Sequence, residues 1–377
     1  MIAAVVIFWL AAGLIVWAQI GYPLAMILAA RAAGSARRPA DGAPPAVSLI
    51  VAAHNEESVI AAKVANALAL DYPRELLEIV VTCDGCSDRT AELARQAGAD
   101  LVLELPRGGK IRAQDAAVQR ARGELLLFSD ANSSWEPAAA AALAGAFADP
   151  QVGYACGQVR FLPPDGGDNQ EGLYWRYEMA LRGAESRLCS VTAGNGAIYA
   201  TRRESYIVVD PVMGHDLSLP FNIVKRGRRA VYAPAARASE KMVPTTDGEF
   251  ARKRRMMSHT WPIMLRGGIL SPRGYPPLYA LMIFSHRLLR YCLPFLHALA
   301  LAANIWLVAE GAGTVYWVTL ALQLALLAAA LLAALVPWRP LLVARYYLLT
   351  VLSPAAGLWD WLRHGTDAWW EAAEGTR

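Results

Sequence analysis

The sequence predicts an α/β domain with a mostly parallel central sheet, flanked at both ends by segments apolar enough to cross a bilayer. Three observations predict it. Short β-rich runs at 47–53, 77–82, 101–103 and 125–128 alternate with more polar helical stretches, as in right-handed βαβ units. Hydrophobic residues make up 55% of the 377 and charged ones 18%, but the apolar excess lies at the ends and the charge in the middle. Polar or acidic loops follow three of the four predicted strands, on the sheet edge where ligands of open α/β folds bind.

Taken in order, 2–28 is long enough to span, with Trp9, Trp17 and Tyr22 as interface anchors. A signal peptide would need a basic start and a shorter apolar run. Here Arg31, Arg37 and Arg38 follow the run, which places its far end in the cytosol and its start outside. The expected division is a first span over 1–30, a Gly/Pro/Arg-rich linker over 31–46, and a cytosolic domain over 47–250. Basic and interfacial helices over 251–288 and two spans over 289–336 come next, then an interfacial or re-entrant segment and a tail over 337–377. Apolar 341–358 is expected not to span, because it carries Arg345 and is interrupted by Pro354 and Gly357. Residues 279–287 are expected to lie along the interface.

Within the domain, helices are expected at 56–69, 87–97 and 111–122. An amphipathic helix is expected at 169–187 and a strand at 197–200. No G-x-G-x-x-G or G-x-x-x-x-G-K-[ST] is present, so dinucleotide and P-loop readings lose their support. The net charge of +4 is modest and no nucleic-acid module is present; the basic excess reads as membrane-facing. Five scattered cysteines include one C-x-x-C, Cys83 and Cys86, without a second pair or a His cluster to make a zinc site.

The run at 125–128 ends in Ser129, Asp130, Ala131 and Asn132. A carboxylate at the end of a central strand suits a hard divalent cation carrying a diphosphate, and equally suits a turn into the next helix. Gly194 and Gly196 around Asn195 allow close backbone approach to a ligand, or an ordinary turn. Asp216 is the best candidate for a general base taking an acceptor proton, and could also N-cap a helix over 217–225. Arg252, Lys253, Arg254 and Arg255 suit a site for departing phosphates or a membrane-surface helix. Arg255 is assigned to the site, and Lys253 and Arg254 to lipid.

Six motifs occur in order: Val51-x-Ala-His-Asn-Glu-Glu57, Cys83-Asp-Gly-Cys-Ser-Asp-Arg-Thr90, Gly109-Lys110 with Ala121-Arg-Gly-Glu124, Ser129-Asp-Ala-Asn132, Gly194-Asn-Gly-Ala-Ile-Tyr-Ala-Thr-Arg-Arg203, and His215-Asp-Leu217. Over 47–261 the chain resembles glycosyltransferase family two, with its Rossmann-like type A fold. The resemblance implies that Asn55 and Glu56 line a nucleotide pocket, Asp84 pairs with uracil, and Lys110 approaches the diphosphate. Asp130 would meet ribose and metal, with Asn132 as an uncharged second ligand for Mg²⁺ or Mn²⁺. Gly194, Asn195, Gly196 and His215 would face acceptor and donor sugar, Asp216 would be the base, and Arg255 would stabilise the departing nucleotide. Arg252, Arg255 and Met256 stand in the positions of a Q-x-x-R-W motif.

Together these readings imply a multi-pass enzyme of a bacterial inner membrane with a cytoplasmic catalytic domain. It would move a sugar, with inversion, from a nucleotide-sugar, expected to be a UDP-sugar, to a lipid-linked or glycan acceptor. Two rivals remain. One is a processive synthase of the hyaluronan or cellulose type, against which few spans and the missing Trp beside Arg255 count. The other is a non-catalytic nucleotide-sugar-binding subunit of an envelope complex, favoured by Asn132 and His215 replacing acids.

Overall fold

The structure is a computed structural model that describes residues 1–34, 43–162, 171–241, 246–336 and 338–369. Most of the expected linker and the first two residues of the expected helix at 169–187 lie outside the described residues. In chain order the elements are α1 (Ile2–Ala32), β1 (Val47–Ala53), α2 (Ile60–Leu68), β2 (Leu77–Asp84), α3 (Thr90–Gln96), β3 (Leu101–Leu105), α4 (Lys110–Arg120), β4 (Leu125–Asp130) and β5 (Ser134–Trp135). Next come α5 (Ala139–Ala146), β6 (Val152–Leu162), α6 (Glu171–Leu188), β7 (Tyr199–Arg202), α7 (His215–Lys225) and β8 (Arg229–Lys241). The chain continues through α8 (Thr246–Leu265), α9 (Pro277–Ala309), α10 (Thr314–Leu332) and α11 (Arg339–His364).

The strands form one sheet in the order β3-β2-β1-β4-β7-β6-β8-β5. The set from β3 to β4 is parallel, with Ala53 beside Cys83 and Ala52 beside Asp130. That register brings the ends of β1, β2 and β4 to one edge, as the sequence predicts. β7 runs antiparallel between β4 and β6, which closes the edge with a reversed strand.

Strand side chains alternate between two cores. Leu49, Val51, Ile79, Leu125 and Leu127 pack with α2 and α5 on one face. Ile50, Val80, Leu126 and Phe128 pack on the other, against Phe221 of α7, Leu181 of α6 and residues of the apolar helices. Tyr22, Met26 and Ala30 of α1 and Tyr279 and Met282 of α9 belong to this second core. Residues 279–287 begin α9, and Tyr279 is fully buried.

Among the described residues four helices, α1, α9, α10 and α11, are long and apolar enough to cross a membrane. The expected break in the last of these does not occur: α11 runs through Pro354 and Gly357 without interruption. Pro354 cannot donate to the Thr350 carbonyl four residues back, and the Ser353 hydroxyl donates to it instead at 2.9 Å. Gly357 marks a close approach: a Cβ there would lie 2.5 Å from Met257 Cβ and 2.8 Å from the Arg254 carbonyl of α8.

The same logic governs three more prolines within helices. Pro23 cannot return a bond to Gln19; the helix widens into a π-turn over Trp17–Gly21, and the Tyr177 hydroxyl of α6 donates to the Gln19 carbonyl at 2.9 Å. Pro220 leaves the Asp216 carbonyl to accept from the Gly194 N–H at 2.7 Å. Pro262 leaves the Ser258 carbonyl to accept from the Thr366 hydroxyl at 3.0 Å. Each proline turns a carbonyl outward, where the hydroxyl or N–H of another segment or side chain takes it.

Candidate active site

A cavity of about 1240 Å³ opens at the carboxyl edge of the parallel strands and continues to α9 and α11. Asp130, at the end of β4, accepts a hydrogen bond from the Lys110 ammonium at the start of α4. Burial works against the Lys110 charge, but Asp130, with Asp216 and Glu240 beyond it, more than offsets that cost and raises its pKa. Gly196 leaves the pair room: a Cβ there would meet Lys110 Nζ at 3.2 Å and Asp130 Oδ2 at 3.6 Å. Asn132 also lines the cavity.

Lys110 owes its place to Asp84. The Asp84 carboxylate, 5% exposed, accepts from the N–H groups of Gly108 at 2.6 Å and Gly109 at 2.9 Å, fixing the turn before α4. Asp84 also lines the cavity. Gly109 has φ +93°, a conformation that glycine reaches freely. Glu56 is buried in the cavity wall, with its N–H on the Thr90 hydroxyl at 2.8 Å. Asn55 is not brought there: at φ +53° its exposed side chain turns away to accept from the Ser87 N–H at 2.9 Å.

Asp216 lies inside the first turn of α7, which begins at His215 after Gly214, so it does not N-cap the helix. Its carbonyl, freed by Pro220, holds Gly194, and Asn195 braces the same loop between the Gly157 carbonyl and the Ile198 N–H. His215 is 3% exposed and its two ring nitrogens face the hydroxyls of Tyr199, at 2.9 Å, and Tyr206, at 3.4 Å. Burial, helped by Lys110, lowers its pKa to about 3, so it stays neutral. It also lines the cavity.

Arg255 and Met256 line the cavity. The expectation that Lys253 faces lipid is corrected, since it lines the cavity. Lys253 Nζ donates to the Tyr346 hydroxyl at 2.7 Å and the Thr350 hydroxyl at 3.1 Å, and Arg254 binds Asp360 through two nitrogens. Both tie α11 to α8, Lys253 within the cavity wall and Arg254 at the exposed surface.

Three further groups escape motif reading. Lys63 is buried, donates to the Ser133 carbonyl at 2.8 Å, and has its pKa lowered to about 7 by burial. Its sign in the sequence is a lysine on the apolar face of α2, with Ile60, Val64 and Ala67. Glu240 follows Ala236 and Ala238 on one face of β8, an acid continuing an apolar stripe. Its Oε1 is buried with no hydrogen-bond partner among the described residues, and burial with Asp130 nearby raises its pKa to about 7. Arg182 lies between Glu178 and Glu185 on α6, a charged stripe at helical spacing.

Asp130, Asn132 and the orphaned Glu240 oxygen form a hard oxygen set that fits Mg²⁺ or Mn²⁺. Among the described residues no three His, Cys, Asp or Glu side chains converge as a cage. A cation here would take its remaining ligands from a diphosphate and water.

Comparison with known proteins agrees with this geometry. Residues 44–258 match the family described as glycosyltransferase like family 2. An N-acetylglucosaminyltransferase of Rhizobium leguminosarum bv. viciae is 27% identical over 235 residues, covering 55% of this chain and 54% of that protein. One from Rhizobium meliloti is 28% identical over 233 residues, with the same coverage. The chain thus spans about half the length of the curated relatives it matches. Among solved structures, a mannosyltransferase of Pyrobaculum calidifontis, in complex with GDP-Man and Mn²⁺, gives a TM-score of 0.68 at 23% identity. That match covers 95% of this chain and 99% of the other, a likeness of fold. With the family matched over more than half its length, and the type A sheet and its edge cavity in place, the chain belongs to the glycosyltransferase-like family 2.

Proposed function

We propose that this glycosyltransferase is a membrane-bound inverting enzyme moving a sugar from a UDP-type donor to an acceptor presented at the bilayer. The observation that carries the reading is the single cavity joining the Lys110–Asp130 pair, Asp216 and the apolar helices. Lys110 and Arg255 would hold the donor diphosphate, Asp84 would position Lys110 through the Gly108–Gly109 turn, and Glu56 would wall the nucleotide. Gly194, Asn195 and Gly196 would let the sugar approach the backbone. Asp130 and Asn132, with Glu240, would hold Mg²⁺ or Mn²⁺, which supplies positive charge to the leaving diphosphate. The acceptor hydroxyl oxygen bonds to the anomeric carbon as the bond to the nucleotide's phosphate oxygen breaks. The nucleoside diphosphate leaves with that electron pair, and the proton passes to the Asp216 carboxylate.

In this reading α1, α9 and α10 span a bacterial inner membrane, with the N-terminus outside and the sheet in the cytoplasm. α11, tied to α8 by Lys253, Arg254 and Trp261, lies tilted in the interface. The relatives named N-acetylglucosaminyltransferase favour an N-acetylhexosamine donor.

The test is nucleotide release by the detergent-purified chain from UDP-GlcNAc, UDP-glucose, dTDP-glucose and GDP-mannose, with Mg²⁺ or Mn²⁺ and membrane lipid extract. One donor should turn over with metal, and Asp216→Asn should cost about 10²–10⁴-fold in rate with nucleotide affinity kept. An Asp216→Asn chain that turns over normally rejects the assigned base, and absence of any nucleotide binding rejects the reading as a whole.

A further inference from the structure

Beyond Asp216 the cavity meets a second charged cluster, built where α6 packs against α1 and α9. Glu178 binds Arg290 and lies 3.4 Å from His286 Nε2. Glu185 accepts from the Tyr22 hydroxyl at 2.5 Å and the Thr192 hydroxyl at 3.1 Å, and faces His286 Nδ1 at 2.7 Å. Both acids are thereby satisfied. One guanidinium group, that of Arg182, is not. Arg182, 9% exposed, donates through Nη2 to the Gly194 carbonyl at 3.1 Å, while its Nη1 is buried with no hydrogen-bond partner among the described residues. Arg287 donates through Nε to the Thr192 hydroxyl at 2.9 Å. Neither makes an ion pair with a carboxylate within 4 Å among the described residues.

Both arginines line the cavity, and they grip opposite ends of the short segment 192–194 whose Gly194 N–H rests on the Asp216 carbonyl. Further along, the wall turns apolar with Leu293 of α9 and Val343 and Val351 of α11. The segment 192–196 therefore runs from the donor pair beside Gly196, past Asp216 and Arg182 at Gly194, to Arg287 at Thr192. A buried guanidinium without an anion is costly, and its planar fork matches phosphate oxygens.

We propose that Arg182 and Arg287 form the acceptor's phosphate site, so that the acceptor is a lipid whose head carries a phosphate near the hydroxyl that is glycosylated. The phosphate lies between the two guanidinium groups, the hydroxyl reaches Asp216, and the chains leave along α9 and α11. This rests on the transferase reading for the reacting hydroxyl, but the phosphate site itself is independent of turnover. The bonds made and broken are those given above, and the phosphate takes no part in them.

The experiment measures binding of dioctanoyl phosphatidylglycerol, dioctanoyl phosphatidic acid and dioctanoylglycerol to the full detergent-solubilised chain by native mass spectrometry, and UDP affinity in parallel. Both phospholipids should bind at least ten-fold tighter than dioctanoylglycerol, to the Asp216→Asn chain as well. Arg182→Gln and Arg287→Gln should each remove that preference while UDP affinity stays constant. Because Arg182 also braces Gly194, Arg182→Lys and Arg287→Lys, which keep the charge, should restore part of the preference. Competition by sn-glycerol 3-phosphate or inorganic phosphate as strong as by the lipids would mean a soluble phosphate ligand and overturn the lipid assignment. Equal binding of the neutral lipid, or loss of UDP affinity in the arginine variants, would overturn the site. Arg-dependent lipid binding without turnover of any donor would uphold the site while the transferase reading fell.

Discussion

At the scale of single residues the site is held by buried side chains. His215 is the clearest, because its neutral ring is locked between two tyrosines. Its folded pKa of about 3 lies below the ordinary 6.5. Between those values the unfolded chain takes up a proton that the fold refuses, so stability is full above pH 6.5 and falls as pH drops toward 3. Thermal unfolding from pH 7.5 to 5 should show this slope, and His215→Gln should flatten it. The pair Lys110–Asp130 belongs to the same scale: Lys110→Met should weaken UDP binding about ten-fold or more, measured by calorimetry, because a desolvated cation is removed from beside the phosphates. Asp130 and Asp216 were legible because motifs carry them. Asn55 was misplaced, since a motif gives the residue type and not the left-handed turn that aims it outward. Glu240 and Lys63 were missed because a lone charge on an apolar face has no motif, only a broken pattern.

At the scale of elements the organising device is the proline within a helix. Pro220 frees the carbonyl that anchors Gly194, so helix α7 and the glycine loop are set by one missing N–H. Pro220→Ala returns that N–H to the helix and makes it compete for the same carbonyl. The expected outcome is unchanged or raised thermal stability with turnover lowered roughly ten-fold, as a small displacement of a reacting group costs rate. Gly357 does for α11 what no side chain could: it lets the helix lie against the backbone of α8. Gly357→Leu should destabilise the chain by about 1–3 kcal/mol through overpacking, read as a lowered melting temperature in detergent. The sequence marked Pro354 and Gly357 as breaks because both are poor helix formers. It held no sign that Ser353 and the surface of α8 compensate them. The parallel strands were legible, because strand burial on both faces leaves unbroken apolar runs.

At the scale of the whole molecule, sheet and apolar helices do not divide where composition divides them. Tyr22 and Met26, near one end, and Tyr279 and Met282, near the other, pack on one face of the sheet with Ile50 and Phe128. Hydropathy drew a boundary near residue 30 and another near 289, because it reads polarity and not partnership. Tyr22→Ala should cost about 3–5 kcal/mol, the scale of a large aromatic removed from a core, and should also leave Glu185 without its shortest bond. Loss of cooperative unfolding of the central domain in detergent would be its signature. The shared core also bears on how the chain is born. Residues 47–241 can pair their strands and lay α6 and α7 on that face as they leave the ribosome, yet its packing stays incomplete until α9 has been synthesised. In the membrane reading proposed above, α1 would already be inserted during that interval, and the order of synthesis would make it the nursery of the catalytic domain as well as its mooring.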